Sequence, residues 1–168
     1  LADVVWSGRF MEAVTEGRWE YVRRNRGAGA AVIFARTPAD ELILVEQYRI
    51  PLGKPCIELP AGIVGDEDEG EGFAEAASRE LEEETGWRAA QMIDHGTFTS
   101  TPGLASEQFR LFEARGLERT GPGGGVGDED IRVHLVPLAE IQAFLEEAAG
   151  RGVAIDKSLC LFALLRPF

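Results

Sequence analysis

Cysteine is nearly absent. The 168 residues hold only Cys56 and Cys160, and they form no CxxC pair. That excludes a disulfide-stapled scaffold and a thiolate zinc cluster, and it makes a reducing, cytoplasmic setting the simpler expectation. Histidine is as scarce. His95 and His134 have no metal-ligand spacing between them and read as structural residues. Long hydrophobic runs are missing too. The longest purely apolar stretch is Leu159 to Leu165, against the roughly 20 residues that a membrane helix needs. No basic, apolar, small-residue leader opens the chain, and Leu1 stands where a Met would start it, so trimmed residues ahead of it are expected. Positive charge is also in deficit. Lys and Arg number 17 against 29 Asp and Glu, a formal net charge of −12. Such a chain repels nucleic-acid backbones and anionic membranes, so neither is an expected partner.

What is present is ordinary for a folded soluble protein. Hydrophobic residues make up 45% and charged residues 27%, enough apolar matter for a core in one domain over 1–168. No repeat and no linker divides it. Val4 to Val22 alternates like strands, with turns at Ser7-Gly8 and Glu16-Gly17. Gly29 to Ala35 and Glu41 to Tyr48 are short apolar runs separated by Thr37-Pro38 and Asp40, which reads as a buried hairpin. Cys56 to Leu59 is a short strand ending at Pro60-Ala61-Gly62. The stretch from Gly65 to Gly70 is an acidic loop. Phe73 to Thr85 has helix-forming composition, and Gly86 sits where a helix-ending glycine belongs. Strands are expected at Ala90 to Ser100, Gln108 to Ala114 and Ile131 to Val136, and helices at Leu138 to Ala149 and Ser158 to Leu165. Gly121 to Gly127, with five glycines in seven positions, is a flexible loop. The elements mix without a regular β-α-β rhythm, which favours α+β.

The chemistry concentrates on the first helix. Glu80 and Glu84 are four apart and stack on one face, with Glu83 beside them. Glu82 points to roughly the opposite side at about 100° per residue. Like charges at this spacing cost a helix a few tenths of a kcal/mol per pair. With only Arg79 and Arg88 nearby, a cluster of three carboxylates calls for a counter-charge. A hard divalent cation with oxygen ligands, Mg²⁺ or Mn²⁺, supplies one. A solvated acidic face is the plain alternative for an isolated run of glutamates.

The surroundings of the run decide between them. Gly65, Glu71, Arg79-Glu80-Leu81, Glu83-Glu84 and Gly86-Trp87 occupy nine fixed positions over 65–87. This pattern resembles the complete Nudix box, the loop–helix–loop signature of the Nudix hydrolases. In similar members the box glycine follows an alanine, as in Ala61-Gly62 here. Counted from Gly62 the spacing to Glu71 is three residues too long, and Gly65 restores it. An EF-hand reading of Asp66 to Glu71 fails on ligand spacing.

The resemblance extends along nearly the whole chain and is closest to the ADP-ribose and ADP-sugar pyrophosphatases. It implies a Nudix fold, with mixed β-sheets sandwiched between α-helices and an N-terminal antiparallel strand segment over 1–28. Trp19-Glu20-Tyr21-Val22-Arg23-Arg24 looks like the segment that supplies base-stacking and phosphate-binding groups, so Trp19 and Arg24, with Trp6, are substrate candidates. Glu46-Gln47-Tyr48-Arg49 resembles the strand with the substrate arginine, Arg49. Ile57 to Gly62 resembles the metal-approach loop, which offers the carbonyl of Ala61. Thr101, Pro102, Gly103 and Glu107 match the specificity loop, the proline falling 16 residues after Gly86. Glu129-Asp130-Ile131-Arg132 resembles the segment with a further catalytic carboxylate.

The implied activity is metal-dependent hydrolysis of the diphosphate of ADP-ribose or a related ADP-sugar, giving AMP and ribose 5-phosphate in the first case. Mg²⁺, with Mn²⁺ as an alternative, would sit on Glu80, Glu83, Glu84, Glu129 and Ala61. The general base is left open. The position that holds it in similar bacterial enzymes is Gly127 here, which leaves Asp128, Glu129 or Glu83, and the glycines imply a loop that closes over substrate. The resemblance also implies a homodimer that exchanges N-terminal strands. Two alternatives stand beside this reading: hydrolysis of another nucleotide sugar such as GDP-mannose, and an inactive nucleotide-sensing module.

Overall fold

Turn residues shape the first three strands. The structure is a computed structural model that describes residues 1–25, 29–65 and 70–161. β1 (Asp3–Ser7), β2 (Met11–Glu16) and β3 (Trp19–Arg24) form an antiparallel three-stranded sheet, with reversals at the two turns read from the sequence. Of these strands only Val14 is fully buried. Val5, Trp6, Phe10 and Trp19 are each more than half exposed.

Two further sheets make the body of the protein. The first contains β5 (Glu41–Arg49), β6 (Lys54–Glu58), β10 (Ile131–Pro137) and β11 (Ala154–Ile155), in the order β10-β5-β6-β11. The second contains β4 (Gly29–Ala35), β7 (Ala61–Val64), β8 (Trp87–Thr99) and β9 (Gln108–Arg119), in the order β7-β4-β9-β8. Each is mixed, with β6 parallel to β11 and β4 parallel to β9. The arrangement is the expected α+β one.

The expected buried hairpin does not form. β4 and β5 enter different sheets, and among the described residues the only backbone bridge where the two segments pair is Arg36–Leu42. Both strands are apolar on both faces, so each needs cover on two sides. Separate sheets provide it. Val32 and Phe34 share one core with Leu42 and Leu44, while Ala31, Ile33 and Ala35 share another with Ile43. Helix α1 (Phe73–Thr85) closes the second core with Ala76, Ala77 and Leu81, and α2 (Ile141–Gly150) closes the first with Ile141 and Ala148.

The helix over 73–85 has the expected bounds. It ends at Gly86, whose left-handed φ of 72° lets its N–H reach the Glu82 carbonyl. Other boundaries shift. Leu138–Glu140 is a 3-10 turn ahead of α2. The strand read over Cys56 to Leu59 is β6 and ends before Pro60 as expected, but Ala61 and Gly62 then open β7. The acidic stretch 66–69 and the end of the last expected helix, 162–165, lie outside the described residues. The start of that helix is a 3-10 segment, Lys157–Leu161.

Candidate active site

Ala76, Ala77 and Leu81 hold one face of α1 against the sheet, so Glu80, Glu83 and Glu84 turn toward a cleft of about 250 Å³ beside β5 and β7. Arg49, Ala61, Gly62, Arg79 and Glu129 also line it. Glu84 is only 4% exposed. Its carboxylate accepts the Ala61 N–H at 3.0 Å. Burial pushes the Glu84 carboxyl up to about 8, and the charges of Glu80 and Glu129 add to the effect. Burial also raises Glu80. Glu82, on the far side of the helix, pairs with Arg88 at 2.6 Å.

Arg79 corrects part of the charge argument. Its guanidinium contacts Glu71 at 2.8 Å, Glu80 at 3.0 Å and Glu83 at 3.0 Å. The counter-charge that the sequence reading gave to a cation is therefore supplied in part by this arginine. The Arg79 hydrogen bonds hold the Glu71 carboxyl below the usual carboxylate range. Glu84 takes a backbone N–H instead and keeps its unfavourable burial.

The two candidate box glycines have different surroundings. Any Cβ on Gly62 would land on the Glu80 carboxylate, so glycine here leaves that side chain room to turn into the cleft. Gly65 follows at the end of the strand, and its backbone N–H also faces Glu71. The enlarged spacing thus leaves Gly62 against the carboxylates and places Gly65 in the turn.

Glu129 comes from the glycine-rich loop. The expected mobile closure does not describe the first half of that loop, which is anchored to the end of α1. Gly124 donates to the Glu84 carbonyl at 2.8 Å and Gly125 to the Glu83 carbonyl at 3.0 Å. Thr120 and Gly121 donate to the Gly86 carbonyl at 2.8 and 3.1 Å. Helix ends leave carbonyls without intrahelical partners, and these N–H groups satisfy them. Beyond the anchor, Val126 donates to the Glu129 carboxylate at 2.9 Å. Among the described residues no three His, Cys, Asp or Glu side chains converge as a ready-made ion cage. Arg79 holds Glu80 and Glu83, and Val126 holds Glu129.

The remaining candidates divide. Arg49 lines the cleft and forms a two-pronged pair with Glu58 at 2.7 and 2.6 Å. A second cavity of about 320 Å³ shares Ala61 with the cleft and holds Glu58, Glu107 and the stacked rings of Phe98 and Phe109. Arg24 lies at its margin, bound to Glu107 at 2.6 Å. The bonds Val22 to Leu104 and Ser106 to Val22, at 2.9 and 3.0 Å, draw the two segments together. Thr101, Pro102 and Gly103 form an exposed turn that follows the cavity-lining Ser100 but lines neither cavity, and Trp6 and Trp19 lie on the N-terminal sheet and line neither. Sequence reasoning missed Glu58, Arg79 as an internal cation, and the Phe98–Phe109 pair. Glu58 was visible in the motif before Ala61-Gly62. The phenylalanines gave no signal, since aromatics in strands are usually core. The histidines are structural, as expected: His95 bonds Glu113 at 3.1 Å, and His134 bonds Glu46 at 2.9 Å.

A family model described as NUDIX domain matches residues 25–156. The methanol dehydrogenase activator of Bacillus methanolicus is 41% identical over 113 residues, 67% of this chain and 59% of that protein. The chain thus aligns with less than two thirds of this relative's length. An ADP-ribose pyrophosphatase of Bacillus subtilis is 38% identical over 53% of this chain and 46% of its own. A GDP-mannose pyrophosphatase of Cronobacter sakazakii is 34% identical over 82% of this chain and 72% of its own. Among solved structures, one described as an ADP compounds hydrolase superposes with a TM-score of 0.67 at 26% identity, covering 87% of this chain and 80% of that one.

Proposed function

The chain belongs to the Nudix hydrolase family, and from that membership we propose that it hydrolyses the diphosphate bond of ADP-ribose or a closely related ADP-sugar with the help of a divalent metal. The observation that supports this most directly is one cleft that gathers the buried Glu84, the half-buried Glu80 and the exposed Glu129, where the charges of Glu80 and Glu129 add to the burial that raises Glu84.

The donor set suits Mg²⁺ or Mn²⁺. Carboxylate oxygens are the ligands of hard cations, and a carboxyl raised to about 8 by burial and like charge gains a compensating partner when a cation enters. Glu80, Glu84 and Glu129, with Glu83 and the Ala61 carbonyl, would hold it. When bound, the metal neutralises the diphosphate and acidifies a water. The chain's own groups do the rest. Arg49, oriented by Glu58, binds a phosphate oxygen. Water attacks one phosphorus, the bond from it to the bridging oxygen breaks, and the departing phosphate takes that bond's electrons. The water's proton goes to Glu129 or Glu83. Arg24 and Glu107 contact the part of the substrate that lies beyond the diphosphate, and we assign Thr101, Pro102 and Gly103 to the same part from the exposed turn that follows the cavity-lining Ser100.

We assign 1–28 to dimerisation within a Nudix domain extending over 1–168. Val5, Trp6 and Trp19 are exposed apolar residues there, and a homodimer exchanging N-terminal strands would cover them and place Trp6, Trp19 and Arg24 beside the partner's cleft. The test of the function is hydrolysis of ADP-ribose, ADP-glucose and GDP-mannose with Mg²⁺ and with EDTA. Metal-dependent preference for ADP-ribose is the expected result. Preference for GDP-mannose would favour the second reading, which the longer alignment with the GDP-mannose enzyme supports. No turnover of any of them by folded protein would reject hydrolysis.

A further inference from the structure

We propose that the glycine strap over 120–125 is a positioning device that sets Glu129 against Glu80 and Glu84 by docking backbone to backbone on the end of α1. The proposal rests on the reading of Glu129 as a site carboxylate. Four backbone N–H donors hold the strap: Thr120 and Gly121 to the Gly86 carbonyl, Gly124 to that of Glu84, and Gly125 to that of Glu83, with the Thr120 hydroxyl adding a bond to the Gly86 carbonyl. Two of the accepting carbonyls belong to site glutamates themselves. The main chain that aims Glu83 and Glu84 therefore also anchors the loop that brings Glu129.

Only glycine allows this approach. Gly123 has φ 69°, and a Cβ there would lie 2.7 Å from the Glu84 carbonyl oxygen and against the Thr85 backbone. Neither can yield, because both belong to the helix. Gly125 has φ 85°, and a Cβ there would lie 2.6 Å from a Glu129 carboxylate oxygen and 2.7 Å from the Glu129 Cβ. A methyl at 125 displaces Glu129, and a methyl at 123 lifts the strap. Gly121 is the contrast: its Cβ would meet nothing within 4 Å, and its φ lies outside the left-handed range.

The closing experiment is a double-mutant cycle of Gly125→Ala with Glu129→Gln, with Gly123→Ala as a second lesion and Gly121→Ala as the control. Three readouts are kinetics on the preferred nucleotide sugar, Mn²⁺ affinity by paramagnetic resonance, and amide hydrogen exchange at residues 124 and 125. Displacing a reacting group by about 1 Å costs on the order of 100-fold, so Gly125→Ala is expected to lower kcat by about that factor while KM stays near wild type. Mn²⁺ affinity should fall by about tenfold, as for lost outer supports of a metal site. Adding Gly125→Ala to Glu129→Gln should cost little more, because the group being positioned is already gone. Gly123→Ala should lose exchange protection at 124 and 125 and follow the same pattern. Wild-type kcat in folded Gly125→Ala, alongside an impaired Glu129→Gln, would overturn the proposal. So would losses that multiply in the double mutant. Wild-type kcat in Glu129→Gln would instead remove Glu129 from the site, refuting the functional reading on which the strap depends.

Discussion

Burial, with the charges of Glu80 and Glu129 adding to it, pushes the Glu84 carboxyl up to about 8 from the usual carboxylate range near 4.5, despite the Ala61 N–H that it accepts. Between those two values the metal-free folded protein keeps a proton that the unfolded chain releases. Stability therefore falls as pH rises through that window. With EDTA present, calorimetry should show Tm dropping between about pH 5 and pH 8, and Glu84→Gln should flatten that slope and raise Tm at the upper end. An unchanged slope in the mutant would reject the assignment. The same substitution is expected to abolish Mg²⁺-dependent turnover, since the stability cost is borne where a cation would relieve it. Arg49 gives a second residue-level test. Its fork grips Glu58 through two nitrogens. Arg49→Lys keeps the charge and loses that geometry, so KM should rise by about tenfold, a contribution typical of a charge-assisted hydrogen bond. An unaltered KM would take Arg49 out of substrate binding.

At the scale of the element, α1 works as a rigid bar with two ends tied differently. Its N-terminal half is bound through Arg79 to Glu71, which lies outside the helix, and through the same guanidinium to Glu80 and Glu83 within it. Arg79→Lys cannot span three carboxylates with one ammonium. It should lower kcat more than it lowers Tm, measured on the same preparation, and equal proportional losses would make Arg79 a stability residue only. The C-terminal end depends on Gly86. A Cβ there would run into the Gly121 carbonyl as well as strain a left-handed φ of 72°. Gly86→Ala should therefore cost more than the roughly 1 kcal/mol lost when a left-handed glycine is replaced, read as a shift in the urea midpoint. A cost at or below that figure would mean that the strap adapts freely.

For the whole molecule, the N-terminal sheet is the surface out of proportion with the rest. Val5 is 62% exposed and Trp6 and Trp19 are each 56% exposed, and their register with Ala13 and Glu16 puts the two tryptophans on opposite faces of the sheet, so each face offers apolar groups to a partner. Sedimentation should show a dimer, and Val5→Asp should produce monomers with a raised KM for the nucleotide sugar. A monomeric wild type would sink the dimer proposal without touching the cleft. The acidity of the whole chain matters here too. A net charge of −12 repels an anionic substrate, so activity should depend on cations that invert the local field.

The α1 bounds, its inward glutamates and its terminal glycine were legible in the sequence, because helix periodicity and a left-handed cap are local properties. The turns of the N-terminal sheet were legible for the same reason. The separation of Gly29–Ala35 from Glu41–Tyr48 was not, because two doubly apolar strands look alike whether they pair with each other or stack in separate sheets. β7 and β11 also went unseen, since their pairing partners create them. Arg79 as the internal counter-charge, Glu58 behind Arg49, and the glycine strap beneath Glu129 depend on which distant segments meet. Residue types and their spacing determined the chemistry available to this protein. The tertiary structure alone decided which charges are buried together, because burial and close backbone approach are set by packing across the chain.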